Sequence, residues 1–171
     1  MLCLWSNWLQ AATITGRVIE AGKESVIDDA AIWVEKVGEP MIFQPPTKPA
    51  QMKQKNLSFS PSLLPILVGA TVEFPNEDTV YHHIYSFSKP KRFDLGLYKP
   101  GESRSALFDK TGVVKVFCNI HDFMTATILV LSSPYFATTD EKGVCPPQRC
   151  HNLRSRNGPL RSVDVPSAHA K

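Results

Sequence analysis

The sequence predicts an all-β fold, a sandwich or a barrel, on three observations. Short runs of alternating or β-branched apolar residues recur along the chain, turn-forming residues separate them, and helix-period amphipathicity is hard to find anywhere. The first predicted strands are "TITGRVIE" (13–20) and "AAIWVEKV" (30–37). Prolines 40, 45, 46 and 49 in "GEPMIFQPPTKPA" then break the pattern and predict a long surface connection. "FSPSLLPILVG" (59–69) reads as the one place that could hold a brief turn of helix. From residue 70 the strands follow closely: "ATVEFPN", "TVYHHIYSFS", "RFDLGLY", "RSALFDK", "GVVKVFC" and "TATILVL". In "RFDLGLY", Asp94 and Gly96 are turn formers, and the segment reads as a core strand with a turn.

At 171 residues the chain has the length of one domain with a core of its own and small appendages. The organisation divides into 1–12, a signal remnant or an N-terminal strand; 13–50, N-terminal strands and a Pro-rich connection; 51–140, the main domain; and 141–171, a disordered tail. The opening "MLCLWSNWLQAA" is apolar and ends in small residues as a secretory signal does, but has no positive start, so both readings of 1–12 stand. The tail holds four prolines, few aliphatics and no periodicity, too little apolar area to offset its ordering entropy.

Charge excludes one class of function. Residues 141–171 carry six Lys/Arg against Glu141 and Asp164, leaving 13 basic and 14 acidic residues in the first 140. A near-neutral body gives no electrostatic reason to expect nucleic-acid binding. No stretch approaches the run of about 20 apolar residues that a membrane span needs, so a soluble protein is expected. Four cysteines (Cys3, Cys118, Cys145, Cys150) are too few and scattered for a disulfide scaffold, and no local spacing pairs Cys118.

Chemistry concentrates in "FCNIHDFMTATILVL" (117–131), where Cys118, His121 and Met124 stand three residues apart between two apolar strands. A loop so placed can converge its side chains on one point. Singly, a cysteine at a strand end is a small hydrophobe and a methionine is core filler; together with histidines they form a ligand set. A further donor comes from His82 or His83 in "TVYHHIYSF", and strand parity alone does not choose between them, since both faces are apolar. Thiolate, two imidazoles and a weak thioether suit copper in an electron-transfer role, whereas zinc takes four strong ligands, often with a paired C-x₂-C, which is missing here. Phe123, beside His121, reads either as core or as part of an apolar patch for docking.

These residues carry a resemblance. The Cys-x-x-His-x-x-Met spacing, with "FPNEDTVYHHIYSFS", "FDLGLY" and "FDKTGVVKVFCNIHDFM", resembles the cupredoxins, the blue copper proteins of the plastocyanin and amicyanin kind, and is similar to plastocyanin-like methylamine utilisation proteins. The resemblance covers roughly residues 51–140 and implies a Greek-key β-sandwich holding one copper per chain. It implies His82, Cys118, His121 and Met124 as the copper ligands. It implies single-electron transfer between redox proteins through weak transient contacts, by a periplasmic or secreted monomer that is not an enzyme. A copper-binding or copper-delivery module without an electron-transfer role is the alternative, separated by reversible reduction at a useful potential. Many cupredoxins carry Asn after the first histidine ligand; here that position is His83, which leaves the supporting hydrogen bond to be found elsewhere.

Overall fold

A computed structural model of the chain describes residues 16–23, 25–34, 43–145 and 160–162, the last three by backbone alone. Its strands, in chain order, are β1 (Ala31–Val34), β2 (Ala50–Gln51), β3 (Lys53–Lys55), β4 (Ser58–Ser60), β5 (Leu63–Leu67), β6 (Ala70–Pro75), β7 (His82–Ser86), β8 (Phe93–Tyr98), β9 (Ser103–Phe108), β10 (Gly112–Cys118), β11 (Thr125–Leu131), β12 (Phe136–Thr138) and β13 (Leu160–Ser162). The described residues contain no helix, and none is therefore long and apolar enough to cross a membrane.

Period-two burial explains the central strands. In β6, Ala70, Val72 and Phe74 are buried while Thr71, Glu73 and Pro75 are partly exposed; β7 buries His82, Ile84 and Ser86, and β10 buries Val114, Val116 and Cys118. These inward residues meet in one core between a five-stranded sheet, ordered β5-β11-β10-β7-β8, and a three-stranded sheet, β2-β6-β9. After the β7–β8 hairpin the chain crosses to pair β9 with β6, then returns to lay β10 beside β7. That crossover makes the sandwich a Greek key. The pairings are antiparallel except β5 with β11 and β2 with β6.

β11 is buried along almost its whole length. Ala126, Ile128 and Val130 face the sandwich core, whereas Leu129 and Leu131 pack with Leu63, Ala31, Trp33 and Phe136. Of these, Ala31, Trp33 and Phe136 belong to a small sheet, β12-β1-β13, laid over the outer side of the large one. An apolar run without alternation is what a strand covered on both faces requires.

One expectation needs correction. "FSPSLLPILVG" forms the end of β4 and all of β5, not a turn of helix. The misleading signal is the burial of Leu63, Ile66 and Leu67, whose spacing imitates a helix face; β5 lies at a sheet edge, where Pro65 is tolerated. "RFDLGLY" forms the expected strand at the opposite edge of the same sheet: Tyr98 lies in the core, Phe93 and Leu95 pack against it, and its pairing with β7 shifts register between His83 and Tyr85. The Asp94 carboxylate accepts the Gly96 N–H at 2.8 Å, and Gly96 sits at φ +68°.

Some expectations fall partly or wholly on residues outside those described. Residues 1–12 lie outside. Of "TITGRVIE", 16–20 form isolated bridges, Arg17 with Val144 and Ile19 with Val26. Of the segment expected as a disordered tail, 141–145 and 160–162 are described. Gly143 accepts the Val18 N–H at 2.8 Å, and Cys145 is buried beside Val34 and Ala137 in a disulfide whose partner lies outside the described residues. The backbone of β13 pairs with β1; 146–159 and 163–171 lie outside.

Candidate metal centre

Two neighbouring strands and one loop build the site. Phe117 pairs with Tyr85 and Cys118 with Ile84, so the end of β10 lies against β7 two residues beyond His82. Residues 119–124 then turn tightly: Asn119 N–H donates to the His83 carbonyl (2.9 Å), Met124 N–H to the His121 carbonyl (2.9 Å), and Cys118 N–H to the Met124 carbonyl (3.2 Å). The loop is thereby closed on itself and tied to β7. β10 and β11 leave it as an antiparallel pair from Phe117–Thr125 onward.

Within this frame Cys118 Sγ lies 3.6 Å from His82 Nδ1 and 3.6 Å from His121 Nδ1. One donor atom from each of the three residues falls within 4.8 Å of the others. The two imidazole rings are 5.0 Å apart, centre to centre, and inclined by 63°. His82, Cys118 and Met124 are buried and His121 is half-buried, so the cluster sits just under the surface with His121 at its rim. His83, on the opposite face of β7, instead meets the Asp94 carboxylate through its Nε2. His151 and His169 lie outside the described residues.

Electrostatics keeps the His82 lone pair available. Burial holds the His82 imidazole below its ordinary pKa, against the opposing pull of Asp78. Asp78 in turn is held below the usual carboxylate range, chiefly by the Leu57 N–H. A buried, neutral imidazole has no charge to lose before it binds a metal.

The Greek-key sandwich is the fold that the resemblance implied, and the triad lies where β7 and β10 come together. The fold is cupredoxin-like. Among solved structures the chain is similar to the novel purple cupredoxin from Nitrosopumilus maritimus, at 28% identity over 47% of this chain and 98% of that one, with a TM-score of 0.44. It is similar to the Cu-containing nitrite reductase from Thermus scotoductus SA-01 at 30% identity, over 57% of this chain but 25% of that one, with a TM-score of 0.47. A reduced variant of amicyanin matches at 19% identity over 48% of this chain and 81% of that one, with a TM-score of 0.45. No protein-family model matches the chain, and no curated protein does.

Around the triad, the structure places residues that the sequence did not single out. Asp78 lies against His82, its Oδ2 3.3 Å from Nε2. Tyr98 is buried in the core that also holds Cys118, and its hydroxyl donates within reach of Gln54 Oε1 (2.6 Å) and the Phe74 carbonyl (3.0 Å). Asp78 had one available signal, an acid four residues before a candidate histidine on an extended segment. Tyr98 had none, because its partner is 44 residues away. Phe123 is 69% exposed with its ring 6.2 Å from that of His121, so it lies on the surface and not in the core.

Proposed function

We propose that the protein is a mononuclear type 1 copper protein that passes single electrons between redox partners, with His82, Cys118 and His121 as the strong ligands and Met124 as the weak axial one. The observation that carries this is the pair of equal 3.6 Å separations from Cys118 Sγ to the two Nδ1 atoms. Donor atoms bonded to one metal at about 2.0–2.3 Å, with angles near those of a tetrahedron or a trigonal plane, stand about 3.5–3.8 Å apart. The residues present therefore fit a single ion, and a soft thiolate with two imidazoles favours copper.

Bound copper supplies a one-electron couple between Cu(I) and Cu(II). The chain's own contribution is rigidity and exclusion of water. Hydrogen bonds fix both ends of the 119–124 loop, β7 fixes His82, and burial of Cys118 and Met124 keeps solvent from the donors. Four protein ligands leave no open position for a substrate, which favours a carrier over an enzyme. His121 at the rim, with exposed Ile120 and Phe123 beside it, offers a small apolar contact of the kind that weak redox encounters use. The periplasm or the exterior is the proposed location, supported by the Cys145 disulfide, since such bonds persist in oxidising compartments.

Copper reconstitution tests the reading. Cu(II)-loaded protein is expected to absorb intensely in the visible through its thiolate bond and to give a reversible one-electron wave in voltammetry, and Cys118→Ser to be colourless. Copper-loaded wild-type protein without a visible band would overturn it.

A further inference from the structure

Where the site's second line of support lies is legible in the geometry around His82. This imidazole is fully buried, so the proton on its ring must meet an acceptor inside the protein. Its two nitrogens face different partners: Nδ1 faces Cys118 Sγ at 3.6 Å, and Nε2 faces Asp78 Oδ2 at 3.3 Å. Asp78 is itself held as an acceptor on both oxygens. Oδ2 accepts the Leu57 N–H at 2.7 Å and Oδ1 accepts the Thr79 N–H at 3.0 Å, and backbone N–H groups can only donate. The third restraint is Asn76, buried, whose Oδ1 accepts the Asp78 N–H at 3.0 Å and whose Nδ2 donates to the Val80 carbonyl at 2.9 Å. The backbone on both sides of the carboxylate is thus fixed.

We propose that Asp78 is a positioning residue of the metal centre, which holds the His82 proton on Nε2 and so turns a bare Nδ1 toward Cys118. The proposal rests on the reading of His82 as a ligand and extends it to the residue that prepares it. Asp78 owes its place to the turn between β3 and β4, where Asn56 and Leu57 take φ of +53° and +55° and aim the Leu57 N–H at the carboxylate. The His82 ring is thus supported from four positions upstream, by a carboxylate tied to the β3–β4 turn, and not from the neighbouring position. His83, the residue in that neighbouring position, is occupied with Asp94.

The test combines two readouts. In ¹⁵N-labelled metal-free protein, long-range ¹H–¹⁵N correlation reads which ring nitrogen of His82 carries the proton. Wild type is expected to show Nε2–H alone, and Asp78→Ala a mixture of both tautomers. A competition titration with a copper chelator is expected to show about 10- to 100-fold weaker copper retention in Asp78→Ala, with most of the loss restored in Asp78→Asn, whose side-chain oxygen still accepts. If Asp78→Ala does not fold, the wild-type tautomer and Asp78→Asn still decide. A wild-type proton on Nδ1 would overturn the proposal. So would an Asp78→Ala protein that melts earlier but keeps the Nε2–H tautomer and the wild-type copper retention, since Asp78 would then be structural only. If wild type binds no copper, the ligand reading fails, while the tautomer measurement still reports whether Asp78 orients the ring.

Discussion

His82 and His83 are neighbours in sequence and strangers in space, because successive side chains of a strand leave by opposite faces. His82 enters the core beside Cys118, and His83 stays at the surface with Asp94. His82→Ala is therefore expected to abolish the visible copper band, whereas His83→Asn is expected to keep it and only move the reduction potential; absorption spectra and voltammetry of the two variants check this. Met124 tunes more than it holds if it is the long axial ligand, so Met124→Leu is expected to retain copper with a changed potential. That Cys118 and His121 belong to one cluster was readable from their spacing in the loop together with the resemblance that spacing carries. The choice between the two histidines was not, since the outer face of β7 is also clothed in rings: Tyr85 lies 5.2 Å from Phe87 and 5.8 Å from Phe117, centre to centre. Apolar residues on both faces erase the parity signal that would have separated His82 from His83.

The strands from β6 to β11 were legible because most of them alternate or run apolar, with turn signals between them. β2, β3 and β4 were not, because "AQMKQKNLSFS" places only Met52, Gln54 and Phe59 inside among polar neighbours, and its turn residues Asn56 and Leu57 lack the glycine that usually marks such a hairpin. Yet this unassuming hairpin supports the centre of the molecule. Gln54 is buried, donates to the Met52 carbonyl at 2.9 Å and accepts the Tyr98 hydroxyl from β8. Burial, with the nearby Cys118 adding to it, pushes the Tyr98 phenol well above its ordinary pKa. A phenol whose folded pKa is raised contributes stability that is complete below the unfolded value of about 10 and is lost as pH rises beyond it. Tyr98→Phe is expected to cost about 1–3 kcal/mol near neutrality by stranding the Gln54 oxygen. It should also remove much of the decline above pH 10, and urea melts of both proteins between pH 7 and 11 would show whether the two curves converge.

At the scale of the whole molecule, the chain's early and late segments are joined by more than proximity. The Val18 N–H donates to the Gly143 carbonyl, the Gly16 carbonyl accepts the Cys145 N–H, and disulfide-bonded Cys145 lies beside Val34 and Ala137. A chain ending at Gly143 is expected to lose about 2–5 kcal/mol of unfolding free energy, by analogy with removal of a native disulfide, while keeping the visible copper band, because every proposed ligand precedes the cut. Equal denaturant midpoints for the two chains would show that the segment contributes nothing. These pairings were hidden from the sequence since they match short, weakly patterned stretches more than 100 residues apart, for which local periodicity carries no information.

β11, hydrogen-bonded on both edges and covered on both faces, also sets a clock for the rest of the protein. Amides in such a strand trade their hydrogens with solvent only when the whole structure opens, whereas those in less enclosed turns do so through small local fluctuations. In deuterated buffer the Ile128 and Val130 amides are expected to be among the last to exchange. Met124, one residue before this strand, is anchored to the slowest part of the chain, while His121 stands three residues farther out and half in solvent. The inner end of the loop consequently shares the lifetime of the native state, and the hydrogen bond from the Met124 N–H to the His121 carbonyl ties the outer end to it.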